Sequence, residues 1–297
     1  MKNNVIHRTN ADKAFDTLDY ILLTIAFLLV AYPLYFVVIA SVSDPIAVYE
    51  GRVILYPIKP TLEGYRRILS YTSLFTGYKN TLVYTLVGTA INVTLTITAG
   101  YALSRKELVG RNVMMMGVMI TMIVSGGMIP NYLLVRSLRL YNTMWALILP
   151  GAISTYNMII IRTAFQSIPE SLIESAQLDG ANDVIVLFRI VIPLSKATLA
   201  TMLLFYSVTH WNSYFDAMLY LNKKELYPLQ IMLRNMLIGG LFNEETAIAG
   251  ASADSFAVTD ATLRSAAIIV TTLPILIVYP FVQRYFVKGV MIGSVKG

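Results

Sequence analysis

Glu174-Ser175-Ala176-Gln177-Leu178-Asp179-Gly180 and, nine residues further on, Ile190-Val191-Ile192-Pro193 decide how this chain reads. Together they form a polar island between two apolar runs, each long enough to cross a bilayer. The first part is expected to form a short helix. Gly180 supplies a sharp turn, because a residue without Cβ enters backbone conformations closed to the others. Pro193 lacks an N–H and marks either a break or the first turn of a new helix. The expected local structure is helix, turn and helix start, held at a membrane surface. On local physics alone the island is either an ordinary connector between spans or a docking element, since surface loops serve both purposes.

The rest of the sequence identifies the solvent. Of its 297 residues, 56% are hydrophobic and 13% charged, with a mean hydropathy of +0.64. A soluble domain carries roughly twice that charged fraction, so a soluble enzyme is excluded. The formal net charge is +6, but Lys and Arg are scattered among short loops. A nucleic-acid surface would gather them on one face. There is no cysteine, hence no disulfide and no thiol chemistry. His7 and His210 are the only two histidines, so a His-based metal cluster is not available and no metal site is expected.

Six apolar spans are expected, at about 18–41, 81–103, 113–134, 144–165, 197–221 and 261–286. A cleaved signal peptide competes for the first, with Ala40 and Ser41 near a cut, but the apolar run exceeds an h-region of about 7–15 residues. Between the first two spans, Pro45, Pro57, Pro60 and Gly64 break residues 43–79 into turns. In the second, Thr85, Thr89, Asn92 and Thr96 share a helix face. Such a face either packs against neighbouring helices or lines a pathway. Gly126, Gly127 and Pro130 loosen the end of the third span, and Pro150-Gly151 kinks the fourth. The whole reads as a single membrane domain at 18–286, with tails at 1–17 and 287–297.

Six spans put both termini on one side. Lys and Arg divide almost evenly between the two sides, but Arg105, Lys106, Arg111, Arg284 and Lys288 lie close to span ends. The positive-inside rule weights such residues most, which favours cytoplasmic termini.

No enzyme constellation is visible. There is no Gly-rich phosphate loop of the P-loop form, so this chain is not expected to bind ATP itself. Acidic residues do not pair within the spans as a proton relay requires. His210, Trp211, Asn212, Tyr214 and Asp216 are the polar and aromatic exceptions in the fifth span. On a continuous helix Asn212 and Asp216 share a face, as do His210 and Tyr214. Two readings stand: a sugar pathway, where amide and carboxylate meet hydroxyls and rings stack, or interhelical hydrogen bonding to a partner subunit.

The spacing Glu174-x-Ala176, Asp179-Gly180-Ala181 and Ile190-x-x-Pro193 resembles the "EAA" loop of binding-protein-dependent ATP-binding-cassette (ABC) importer permeases. Ser175 replaces the usual second alanine, Ile192 the usual leucine, and Ala197 stands where many members have a second proline. Pro60-Thr61-Leu62-Glu63-Gly64-Tyr65 with Asn80-Thr81 resembles the carbohydrate-type members. Trp211-Asn212, Leu226-Tyr227-Pro228-Leu229-Gln230 and the terminal Gly293-Ser294-Val295-Lys296-Gly297 resemble their maltose-type, oligosaccharide branch.

The resemblance implies an all-α membrane protein with six transmembrane helices and the MetI-like permease fold of type I importers. It implies a multi-pass, non-catalytic subunit of the bacterial cytoplasmic membrane, moving an oligosaccharide or related glycan by alternating access. No cofactor is expected on this chain, since ATP and Mg belong to partner ATPase subunits. The implied partners are a homologous second permease, two ATPase chains, an extracytoplasmic substrate-binding protein and membrane lipid, with no nucleic acid. The loop at about 166–196 would dock in the ATPase through Glu174, Ser175, Ala176, Asp179, Gly180 and Pro193. The outer loop at about 222–260 would reach the binding protein, and Gly293, Val295, Lys296 and Gly297 would enter the ATPase dimer interface. The rival class is a self-sufficient secondary transporter or channel, which inverted repeats would support; none is visible.

Overall fold

The computed structural model describes residues 9–238, 262–277 and 279–280. Among them the regular structure is entirely helical. Two compact units are present, residues 1–70 with 239–270 and residues 71–238 with 271–297.

In the first unit, α1 (Asn10–Ser41) opens on a capping box: Asp12 N–H donates to Thr9 Oγ1, and Thr9 N–H donates to Asp12 Oδ2. The helix begins earlier than the apolar run at 18, because this cap satisfies its first N–H groups. Nearly all of its apolar surface is exposed until Ile39. Residues 42–62, which hold α2 (Pro45–Tyr49), fold back on its end. Ile39, Ala47 and Val53 form a small core there, and the Tyr32 and Tyr35 hydroxyls donate to the Ile54 and Leu55 carbonyls. That local core is why the segment forms a unit instead of loose turns. α3 (Glu63–Ser70) closes the stretch.

In the second unit, α4 (Thr72–Ser104) is the central column. It starts nine residues before the expected span at 81, because Leu74, Gly77 and Thr81 are already buried. α5 (Arg111–Ile123) and α6 (Met128–Ser137) meet at 115°. The single third span expected at 113–134 is therefore broken. Gly127 adopts φ +83°, and no helical bond bridges Ser125-Gly126-Gly127. The fourth expected span is α7 (Trp145–Ile148) and α8 (Thr155–Gln166), separated by irregular backbone at 149–154.

α9 (Glu170–Leu178), α10 (Asp183–Val186), a π turn (Leu187–Val191) and α11 (Ile192–Leu194) follow. Asp183–Leu194 meets α12 (Lys196–Trp211) at 86°. α13 (Phe215–Tyr220), a 3₁₀ turn at Lys224–Leu226 and α14 (Leu229–Ile238) complete the unit. The fifth expected span is thus not one helix to residue 221, and the face-sharing of Asn212 with Asp216 and of His210 with Tyr214 does not hold. Asn212 caps α12, its Nδ2 donating to the Val208 carbonyl while Ser213 N–H donates to His210 O. Polar side chains that bond local backbone compete with the helix in this way. Of the sixth expected span, α15 (Thr262–Ile277) is described.

Among the described residues α1 and α4 are long and apolar enough to cross a membrane, as are the bent pairs α5/α6 and Asp183–Leu194/α12 if each counts as one span.

Candidate functional site

The polar island folds as local chemistry requires. α9 ends in a Schellman motif: Gly180 N–H donates to Gln177 O at 3.0 Å and Ala181 N–H to Ala176 O at 2.9 Å. The motif needs a left-handed residue after the cap, and Gly180 has φ +85°. Asn182 then caps α10, its Oδ1 accepting from Ile185 N–H at 2.9 Å. Pro193 cannot donate to the carbonyl four residues back, and its ring crowds that carbonyl. The turn just before it widens, with Ile192 N–H bonding Leu187 O in the π pattern.

Ile173 is buried, and Ala176 and Ala181 pack with it against Tyr101, Phe165, Val186, Leu187, Val191 and Met202. This core seats α9 on the ends of α4, α8 and α12. Glu174, Ser175, Asp179 and Gly180 lie outside it, exposed, with Pro193 half-buried. Leu178 is 89% exposed. Sequence reasoning passed over Leu178, although it stands one turn after Glu174 on the face away from Ile173.

Two polar contacts fasten this surface to the end of α4. Lys106 Nζ lies 2.5 Å from Glu170 Oε2, and the Tyr101 hydroxyl donates to Asp183 Oδ1 at 3.4 Å. The Lys106 hydrogen bond and charge hold the Glu170 carboxyl below its ordinary range. Glu170 in the first turn of α9 also complements the positive end of the helix dipole.

At its other end α4 is bonded to the chain around 225–229. Asn80 Nδ2 donates to Glu225 O and Tyr227 O, the Tyr84 hydroxyl to Leu226 O, and Leu229 N–H to Thr81 Oγ1. From Thr81 to Ser104 the helix rises about 35 Å, close to a bilayer core. Asn92 falls near the midpoint. Its Nδ2 donates to the Gly151 and Ala152 carbonyls at 2.7 and 2.9 Å, and its Oδ1 lies 2.6 Å from His210 Nε2. Thr96 Oγ1 pairs with the Tyr206 hydroxyl at 2.7 Å, which also accepts from Ser154 N–H at 3.1 Å. These bonds satisfy the irregular backbone between α7 and α8, which is tolerated at membrane depth only when protein groups partner it. The threonine–asparagine face of α4 packs, since Thr89, Asn92 and Thr96 all bond other elements of this chain, and at Asn92 it also reaches a cavity.

Beside this clamp lies an open cavity of about 960 Å³, within the range of small-molecule sites. His210, Asn212, Tyr214 and Asp216 all line it, together with Asn92, Asn131, Asn157, Tyr206 and Tyr220. Leu147, Leu204, Phe205 and Phe215 supply apolar wall. Trp211 is buried elsewhere, with its Nε1–H unpartnered among the described residues. Amide, phenol and carboxylate groups between aromatic rings suit a hydroxyl-rich ligand. Asn92 belongs to the face for which a pathway role was one of the two readings; Asn131 and Tyr206 were not foreseen as lining, and nothing near them in sequence marks the cavity. Among the described residues no three His, Asp or Glu side chains are placed to hold a metal. Gly293, Val295, Lys296 and Gly297 lie outside the described residues.

A family model described as the inner membrane component of binding-protein-dependent transport systems matches residues 9–292. The chain is 41% identical over 288 residues to the polygalacturonan/rhamnogalacturonan transport system permease protein YtcP of Bacillus subtilis (strain 168), covering 96% of this chain and 99% of that protein. It is 38% identical over 294 residues to protein LplC of the same organism, covering 99% of each. Among solved structures, a chain of a bacterial ABC transporter involved in the import of the acidic polysaccharide alginate superposes with a TM-score of 0.89 at 35% identity. That match covers 94% of this chain and 99% of the other.

Proposed function

The chain belongs to the family of inner membrane components of binding-protein-dependent transport systems, and on that premise we propose that it moves an oligosaccharide or related glycan through the cytoplasmic membrane by alternating access. It is a non-catalytic permease subunit of an ABC importer, so an ATPase and a binding protein are supplied by other chains. Membership in this family sets aside a self-sufficient transporter or channel. The observation that carries the saccharide reading is likeness over nearly the whole chain to permeases named for polysaccharide transport or import.

The proposed assembly pairs this subunit with a homologous second permease and two ATPase chains. Six spans are proposed: α1, α4, the α5/α6 pair, α7/α8, α12 with α13, and the helix that opens with α15. Both termini and the 166–196 loop then face the cytoplasm, and the loop at 222–260 faces the binding protein. The exposed Glu174, Ser175, Leu178 and Asp179, on a helix seated firmly from behind, support a docking role for α9. The cavity at mid-height supports a substrate path past His210, Asn212, Tyr214 and Asp216.

Uptake of a labelled oligosaccharide into proteoliposomes holding the full complex tests this. Uptake that requires both ATP inside and the binding protein outside is expected. Uptake independent of either, or no saccharide uptake at all, overturns the reading.

A further inference from the structure

Arg136 is an exposed cation resting against two aromatic rings. Its Cζ lies 5.8 Å from the Tyr132 ring centre and 5.6 Å from that of Tyr141. The two rings meet edge to face at 81°. Tyr132 in turn stacks on Tyr220, with centres 6.2 Å apart and planes at 10°, and Tyr220 lines the cavity. Asn131, beside Tyr132 on α6, lines it too. Among the described residues no carboxylate lies within ion-pair distance of Arg136.

The setting is braced. Asn142 Oδ1 accepts from Asn222 N–H and Lys223 N–H, and Asn142 N–H donates to Tyr220 O. The turn after α6 is thereby fixed to the chain that follows α13. That chain continues to Glu225–Leu229, at the Thr81 end of α4 and away from Lys106 and α9. Under the proposed orientation this is the outer end, where substrate arrives.

We propose that Arg136 reads a carboxylate on the incoming saccharide, so that the substrate class is an acidic, uronate-bearing oligosaccharide; this rests on the saccharide reading above. A guanidinium uses its faces for aromatic rings and its edge for a carboxylate, which it binds through two parallel N–H bonds. Tyr132 and Tyr141 pack against the guanidinium from one side, and among the described residues no acidic side chain claims it. A side chain already resting on rings loses less freedom when it binds. Among the described residues the cavity lining holds Asp216 and no Lys or Arg. An acidic ligand therefore meets a counter-charge at Arg136, beside the cavity and not among its described lining.

The test is uptake by the full complex with its binding protein, using trigalacturonate and its fully methyl-esterified form. Arg136→Gln should raise KM for the acid about tenfold or more, the scale of a lost charge-assisted pair. The KM for the ester should change less than about twofold by the same principle. Arg136→Lys should fall between, since it keeps charge and loses the planar fork. The chain has no cysteine, so Arg136→Cys allows one-site modification: a cationic thiosulfonate should restore uptake of the acid and an anionic one should not. Equal losses for acid and ester, no loss for either, or rescue by both reagents would overturn the inference while leaving the saccharide reading intact. So would a wild-type complex that takes up only the ester. A wild-type complex that takes up neither these nor any other oligosaccharide overturns the saccharide reading itself.

Discussion

The His210 ring lies flat over Gly88: a Cβ added at Gly88 would stand 2.5 Å from His210 Nε2, the same nitrogen that meets Asn92 Oδ1 at 2.6 Å. Glycine at 88 lets α12 approach α4 closely enough for the pair to form. Gly88→Ala must push the ring away, at a cost of about 1–3 kcal/mol for overpacking. A lower thermal midpoint of the purified complex is expected, with a similar loss for Asn92→Ala, which strands the Gly151 and Ala152 carbonyls. Unchanged midpoints in both variants would show that the clamp contributes nothing.

Gly180→Pro should abolish transport and leave membrane insertion intact. Proline fixes φ near −65°, whereas the Schellman turn holds this residue at φ +85°. Gly180→Ala keeps the N–H but strains the backbone by about 1–2 kcal/mol, so partial transport is expected. Glu174→Ala should weaken ATPase pull-down more mildly. Normal uptake by Gly180→Pro would sink the docking role of this turn.

The Lys106–Glu170 pair gives α9 a pH dependence with a definite sign. The folded Glu170 pKa lies below its ordinary 4.5. Its contribution is complete above that ordinary value and is lost as pH falls through the lowered one. A spin label on Ser171→Cys should therefore become more mobile as pH falls below about 4.5. Lys106→Met should make the label mobile at neutral pH and remove the pH response. Both partners are exposed, so the effect is small and shrinks in high salt. An identical pH response in Lys106→Met would rule the pair out.

Asp216→Ala should change substrate-stimulated ATPase activity while assembly remains normal, because Asp216 lines the cavity beside Tyr220. Loss of assembly with full activity in the remaining complexes would favour a packing role.

Removing residues 293–297 should lower transport or ATPase coupling with membrane insertion unaffected. Two glycines and Ser294 present little side-chain bulk to obstruct entry into the proposed crevice between ATPase subunits. Unchanged rates together with no crosslink from Ser294→Cys to the ATPase would assign residues 293–297 no role.

The sequence by itself determined whatever depends on residues close along the chain. Apolar runs at bilayer length implied membrane helices, and the 174–193 spacing pointed to the family. Gly180 and Pro193 marked the two irregular positions, because a left-handed cap and a missing N–H are local demands. The same kind of demand, Thr9 with Asp12, moved the start of α1 outside the apolar run. Only the tertiary structure decided what the polar residues do. Asn92 and His210 are 118 positions apart, and nothing nearby in the chain says that they meet. Asn212 looked like part of a continuous helix face, but its amide caps α12 and the chain turns there. Tyr132, Tyr141 and Tyr220 give no periodic signal, yet Arg136 rests against the first two and the third links them to the cavity. Local geometry follows from dihedral preferences and neighbouring hydrogen bonds; the cavity and its rim follow from which distant helices a small residue allows to come close.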